Sequence, residues 1–316
     1  MRRPYPGWGG VAIVIGAWFP CAFALFFLPP GTRAMSAGLA ASMSIAVLGL
    51  VDDLRPLRAS ARFLIQSLVA CAFCVAVGVP HGVTITKAIT FELPYWLMLG
   101  LSVVWMVGTL NIFNFMDGMD GLAGTQAVTA GIAIAAWLSG GGLGSGGSAP
   151  AGLAVLAFIG LSIAAASSGL LFHNAPPARI FMGDAGSTFL GFSFASALPM
   201  ASTTAPALSI AVIPLALAPF LLDGTFTIFR RLSRREPVWK AHRSHLYQRA
   251  VQTGLTHRQV LVPYALWCVA AAVSGVLASC GSAGALAVAA VLMMGGLGAV
   301  WRWVVGREAR KSAPIS

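Results

Sequence analysis

Five aspartates carry most of the chemistry that can be read from this chain: the adjacent pair Asp52–Asp53, then Asp117 and Asp120, then Asp184. Each stands where a long apolar run ends or begins. Carboxylates are costly if they face lipid, so five of them at the mouths of four apolar runs are expected to face one another or a ligand. Gathered without neutralisation they would repel. A divalent cation, nearby Arg or His and water would relieve that. Oxygen donors with access to solvent suit Mg²⁺, with Mn²⁺ as the alternative, better than zinc. Mg²⁺ takes one or two carboxylates and leaves its remaining positions to water and substrate phosphates. The flanking residues are polar and rich in glycine: NIFNFMDGMDGLAG at Asn111–Gly124 and IFMGDAGS at Ile180–Ser187. Gly183 and Gly186 would let backbone approach a ligand closely. A basic, histidine-bearing segment, AHRSHLYQRA, places His242, Arg243, His245 and Arg249 within eight residues. An acidic, metal-ready cluster facing such a segment is suited to a diphosphate substrate, because cations offset charge on the leaving phosphate. For Arg230, Arg231, Arg234 and Arg235 an equally good reading is attraction to anionic lipid.

The elements that position these residues follow from composition. The 316 residues are 58% hydrophobic and only 9% charged, with mean hydropathy +0.83. Soluble domains carry about a quarter charged residues, so a water-soluble enzyme, a disordered protein and a coiled coil are excluded. The pattern predicts an all-α, polytopic integral membrane protein forming one transmembrane domain over 1–316. About ten helices are expected, near Val11–Leu28, Ala34–Val51, Phe63–Val79, Leu93–Ile112, Leu122–Ser139, Pro150–Phe172, Ser187–Ala201, Pro206–Phe229, Val260–Cys280 and Ala283–Trp301. A basic cytoplasmic loop is expected over 230–259. With the amino terminus inside, 18 of the 20 Lys and Arg fall on the cytoplasmic side, leaving Arg33 and Lys87 outside, as the positive-inside rule requires. The formal charge of +11 therefore reads as topology and not as nucleic-acid binding. In this orientation the acidic cluster faces the cytoplasm. Asp223 lies inside a span, where a structural pair with Arg230 or Arg231 is as good a reading as catalysis. Cys71 and Cys74 have C-x-x-C spacing, but no second pair completes a metal site. SGGGLGSGGS at Ser139–Ser148 reads as a flexible outer connector.

Four motifs in this order resemble the polyprenyl-phosphate N-acetylhexosamine-1-phosphate transferases of bacterial membranes, the glycosyltransferase family 4 type. They are VDDL at Val51–Leu54, NFMDGMDGLAG at Asn114–Gly124, NAPPARIFMGDAGS at Asn174–Ser187 and AHRSHLYQR at Ala241–Arg249, preceded by RPYPGWGG at Arg3–Gly10. The resemblance implies transfer of an N-acetylhexosamine 1-phosphate from a UDP-sugar to undecaprenyl phosphate at the bacterial inner membrane. UMP would be released, and the product would start a surface glycan. It implies Asp117 and Asp184 as Mg²⁺ ligands. Asp52 and Asp53 would orient or deprotonate the lipid phosphate. Phe181 would stack on uracil beside Asn114, Asp120 and Asn174, and His242, Arg243 and His245 would contact the sugar-phosphate. A homodimer is compatible with this reading. HRSH in place of three consecutive histidines leans towards initiators of O-antigen or capsule and away from phospho-N-acetylmuramoyl-pentapeptide transferase. Members usually carry another helix before the RP-x-P-x-x-GG loop, so a longer natural product is expected. The rival from another class is a transporter using the acids as an ion path, but such sites lie near the midplane, often between repeated halves, and no repeat is visible here.

Overall fold

Nearly every apolar run folds into a helix, as it must where lipid offers the backbone no hydrogen-bond partners. The computed structural model describes residues 8–24, 33–80, 82–86, 89–140, 151–204, 209–237, 242–280 and 283–312. The expected readings of Arg3–Gly7 and of most of the glycine-rich connector lie outside them. The helices are α1 (Trp8–Ala24), α2 (Arg33–Leu54), α3 (Ala59–Val77), α4 (Tyr95–Met116), α5 (Leu122–Gly140), α6 (Ala151–Asn174), α7 (Gly183–Thr204), α8 (Val212–Ala216), α9 (Ala218–Ser233), α10 (Leu246–Gln252), α11 (His257–Cys280) and α12 (Ala283–Ser312). Seven of them, α2 to α6 with α11 and α12, are long and apolar enough to cross a membrane among the described residues. The protein is thus an all-α, multi-pass membrane protein.

The expected count of ten spans is not reached by that criterion. The eighth expected span is two helices, α8 and α9, separated by a turn at Leu217 with Pro219 in the first turn of α9. The seventh, α7, is long but carries Gly, Asp, Ser and Thr in its opening turns. It needs no lipid-facing surface, because from Ala185 to Ser202 only Ser193 and Leu198 are not buried. An antiparallel hairpin, β1 (Gly82–Thr86) with β2 (Ile89–Glu92), lies between α3 and α4; the sequence reading did not anticipate it.

Helix α7 is the hub, packed against α1, α2, α4 and α6. Small residues allow this. A Cβ on Gly49 of α2 would stand 2.5 Å from the Asp184 carbonyl oxygen, and one on Gly191 of α7 2.8 Å from the Leu110 Cα. Gly10 of α1 and Gly186 of α7 are in mutual backbone contact, since a Cβ on Gly186 would lie 2.5 Å from the Gly10 Cα. Such close crossings are how helices associate in lipid, where no hydrophobic gain separates protein from solvent. The consequence for function is positional. The α2–α3 turn, the α4–α5 loop, the α6–α7 loop and the segment between α9 and α11 all meet at one end of the bundle, and the hairpin lies at the other.

Candidate active site

The α2–α3 turn brings Asp52 and Asp53 to the start of α7. Asp52 accepts a hydrogen bond from the Leu57 N–H (2.7 Å), which closes the turn, and another from Arg62 Nη1 in the first turn of α3 (2.5 Å). The same Arg62 nitrogen stands 3.4 Å from Asp184 Oδ2. Asp53 points the other way. Its two oxygens accept the N–H groups of Asp184 (2.9 Å) and Ala185 (3.0 Å). It caps α7 from another helix, supplying negative charge where the helix dipole and unpaired N–H groups favour it. Gly183, at φ +70°, makes the left-handed step that leads into α7.

Asp117 is the residue after α4, held there by its N–H to the Asn114 carbonyl. It lies within electrostatic reach of both Asp184 and Asp53. Burial first, then the charge of Asp184, raises its carboxyl well above the usual range. Burial also pushes Asp184 up to about 6, with the neighbouring Asp52 and Asp53 adding to the rise and Arg62 opposing it. Burial is the main cause of both rises, and the neighbouring carboxylate charges add to it. Among the described residues no three His, Cys, Asp or Glu side chains form a metal cage. Asp117 and Asp184 supply carboxylate oxygens of the kind Mg²⁺ takes, and they are the pair that would hold it.

Two other expected site residues clasp the motifs together. Asn174 is buried; its Oδ1 accepts the Gly121 N–H (2.9 Å) and its Nδ2 donates to the Ile180 carbonyl (2.8 Å). Asp120 accepts the Ala178 N–H (3.0 Å) and pairs with His257 at the start of α11 (3.1 Å). The α4–α5 and α6–α7 loops are thereby one unit, with Gly121 in the left-handed region at φ +74°. Phe181 is exposed on the rim of this unit, and Asn114 is half-buried on the last turn of α4.

The histidine-bearing segment is hung from Asp223. This residue is fully buried and accepts the N–H of Leu246 (3.0 Å) and Tyr247 (3.4 Å) at the start of α10, with the Tyr264 hydroxyl at 2.6 Å. The expected partnership of Asp223 with Arg230 or Arg231 is corrected: Arg231 pairs with Glu236 at 3.3 Å, and Arg230 donates to the Ser244 carbonyl. His245 is also buried, its Nδ1 3.5 Å from Asp223, and it faces away from solvent. His242 and Arg243 remain accessible. Burial, then the charges of His245 and Arg231, push the His242 imidazole down to about 4, so it is neutral near pH 7. The Tyr247 hydroxyl donates to the Phe115 carbonyl (2.9 Å), and the Phe115 ring lies 6.4 Å from that of His242. The segment is thus locked two residues from Asp117.

Arg62 is the site residue that sequence reasoning missed. From sequence alone it reads only as one of the inside positive charges.

The family model for glycosyl transferase family 4 matches residues 35–202, which include Asp52, Asp53, Asp117, Asp120, Asn174, Phe181 and Asp184. The chain is 34% identical over 263 residues to a probable undecaprenyl-phosphate N-acetylglucosaminyl 1-phosphate transferase of Bacillus subtilis, covering 82% of this chain and 69% of that protein. It is 31% identical to a decaprenyl-phosphate N-acetylglucosaminephosphotransferase of Mycobacterium tuberculosis, covering 84% of this chain and 70% of the other. A phospho-N-acetylmuramoyl-pentapeptide-transferase of Desulforudis audaxviator is 33% identical over 61% of each chain. With more than half its length matched by the family model, and with the matched segment holding the carboxylate cluster, the chain belongs to glycosyl transferase family 4.

Proposed function

We propose that the protein transfers N-acetylglucosamine 1-phosphate from UDP-N-acetylglucosamine to undecaprenyl phosphate, releasing UMP, at the cytoplasmic face of the bacterial inner membrane. The observation that carries this reading is the clustering of Asp117, Asp184 and Arg62 close in the fold to Phe181, with the segment bearing His242 and Arg243 tied to the Phe115 carbonyl two residues before Asp117. The names of the relatives support the lipid acceptor and the sugar. The 18:2 division of basic residues supports the orientation. The narrower expectation of an O-antigen initiator draws no support from the relatives named above, which include a cell-wall enzyme; the product is proposed as the start of a cell-envelope glycan.

In this reaction an oxygen of the lipid phosphate attacks the β-phosphorus of the donor, and the bond to the bridging oxygen breaks as UMP departs. Asp117 and Asp184 would hold Mg²⁺, which when bound neutralises the diphosphate and the charge that grows on the leaving UMP. Phe181 offers a face for uracil. Asn114, three residues before Asp117 on the last turn of α4, would contact the donor from that side. Asp120 and Asn174 keep the two loops at fixed separation, so they act through the shape of the pocket. His242, being neutral, donates or accepts a hydrogen bond to the sugar-phosphate, and Arg243 adds charge; His245 acts by holding the segment. Asp53 has both oxygens on α7 N–H groups, and Asp52 is tied to Leu57 and Arg62. Each of these oxygens keeps a second lone pair, so either residue can orient the acceptor phosphate or serve as a base. A phosphate monoester, largely ionised at neutral pH, does not require one. Arg62 is placed to draw the lipid phosphate in.

The test is UMP release from UDP-N-acetylglucosamine and undecaprenyl phosphate by the purified protein, with and without Mg²⁺. Turnover dependent on all three supports the proposal. Turnover only with UDP-N-acetylmuramoyl-pentapeptide would reassign the donor, and no turnover with any UDP-sugar would return the ion-path reading.

A further inference from the structure

A second charged cleft lies at the same end of the bundle, between α10 and α12, and none of the site aspartates lines it. It encloses about 350 Å³ and is lined by Arg249, Gln252 and Thr253 from the end of α10 and by Glu308 and Lys311 from α12. Arg249 holds Glu308 through Nε (2.9 Å) and Nη2 (2.6 Å), while its Nη1 is buried without a hydrogen-bond partner. The Arg249 side chain is only 11% exposed. A buried guanidinium nitrogen left unpaired is costly, and it marks a place for an acceptor. Lys311 donates to the Gln252 carbonyl at 2.7 Å. Arg230 and Arg234, at the end of α9, are close enough to act on Glu308, as Arg230 is on Arg249. The carboxylates facing this group are Glu308 itself and Glu236, the latter paired with Arg231. With Glu236 offset by Arg231, the four cations Arg230, Arg234, Arg249 and Lys311 stand against Glu308 alone and leave the cleft positive.

Its height relative to the bilayer follows from α12. Thirty residues make a helix about 45 Å long, against a hydrocarbon core of about 30 Å. Exposed apolar side chains on α12 run to Trp301 and Val305, and tryptophan favours the membrane–water boundary. Glu308 and Lys311 follow within two turns, at the level of the headgroups. Basic pockets between helices at that level suit anionic lipid headgroups.

We infer that this cleft binds the phosphodiester headgroup of an anionic phospholipid from the leaflet on the active-site side. Arg249 Nη1 and Lys311 Nζ are its donors, and the lipid bridges α10 to α12. Because α10 begins at the residues anchored by Asp223, an occupied cleft also steadies the segment bearing His242. The inference does not depend on the transferase reading, since its readout is lipid retention and not turnover.

The full chain is reconstituted in discs of phosphatidylcholine and phosphatidylglycerol, extracted gently, and its bound lipid counted by native mass spectrometry. The natural protein should keep phosphatidylglycerol in preference to phosphatidylcholine. Arg234→Glu combined with Lys311→Glu, both at exposed positions, should retain about tenfold less with an unchanged melting temperature in detergent. The milder Lys311→Gln should show a smaller loss in the same direction. Equal retention by all three proteins would overturn the inference. So would displacement of phosphatidylglycerol by undecaprenyl phosphate, which would make the cleft part of the acceptor's own site.

Discussion

Arg62 sets the charge balance of the site. It is the one cation in hydrogen-bond range of both Asp52 and Asp184 among the described residues. With it, the cluster keeps some neutralisation before any metal arrives. Without it, Asp52, Asp53, Asp117 and Asp184 would depend on a cation alone. Arg62→Ala should therefore lower the melting temperature of the chelated protein, and added Mg²⁺ should raise that temperature by more than it does in the natural protein. An equal Mg²⁺ response in both would separate Arg62 from the carboxylates proposed to hold the metal. Asp117→Asn and Asp184→Asn should each reduce turnover by about 100-fold or more, measured as UMP release, while leaving the protein folded; near-normal rates in either would remove it from the metal pair. The four aspartates could be picked out from sequence because a carboxylate at the end of an apolar run is expensive and so conspicuous. The role of Arg62 could not, because its partner Asp184 lies 122 residues away and Arg62 is one of three arginines, with Arg55 and Arg58, that topology alone would supply between two spans.

At the scale of elements, what matters is how closely helices approach. Gly10 and Gly186 stand backbone against backbone where α1 meets the start of α7. A methyl group at Gly186 has nowhere to go, since the nearest atoms are the Gly10 Cα and the Met182 side chain, each 2.5 Å from the added carbon. Gly186→Ala should cost about 1–3 kcal/mol through displaced backbone and should also depress activity, because Asp184 sits two residues away. Gly108→Ala on α4 is the control: nothing lies within 4 Å, so stability should be unchanged or slightly raised. Thermal unfolding of the two variants in the same detergent checks both. Asp53 belongs to this scale too, since its oxygens hold the first N–H groups of α7. Asp53→Ala should cost about 1–2 kcal/mol as a lost cap, with Asp53→Asn milder because it keeps an acceptor. The helices were legible because lipid demands long apolar runs. The division into α8 and α9 was not, although Pro214 and Pro219 were a signal for it. Nor was the hairpin, whose β-branched Val83-Thr84-Ile85-Thr86 follows the strand pattern. The burial of His245 was hidden because a run as polar as HRSH reads as solvated loop until Asp223 is seen beneath it.

Across the whole molecule, one end carries the chemistry and the other carries the hairpin. The hydrogen bonds between Asp53 and α7, between Gly121 and Asn174 and between Tyr247 and Phe115 join loops from four places in the chain, so these loops share one side of any membrane the bundle spans. That side is expected to be the cytoplasm, since the short segments there hold nearly all the basic residues. Glu92, at the end of β2, and Arg235, after α9, are exposed and mark opposite ends. Single cysteines at the two positions test the orientation with an impermeant maleimide on intact cells. Cys21, Cys74 and Cys268 are buried. Cys71, which is half-buried, and Cys280 are first replaced by Ser to remove background. Glu92→Cys should label from outside, and Arg235→Cys only after the membrane is opened. The reverse pattern would put the aspartates on the outer face, where the cell supplies no UDP-sugar, and would end the proposed transfer reaction whatever the geometry of the site. Because Glu92 lies far from the carboxylates, Glu92→Gln should leave turnover close to normal, so the reporter position does not disturb what it reports on.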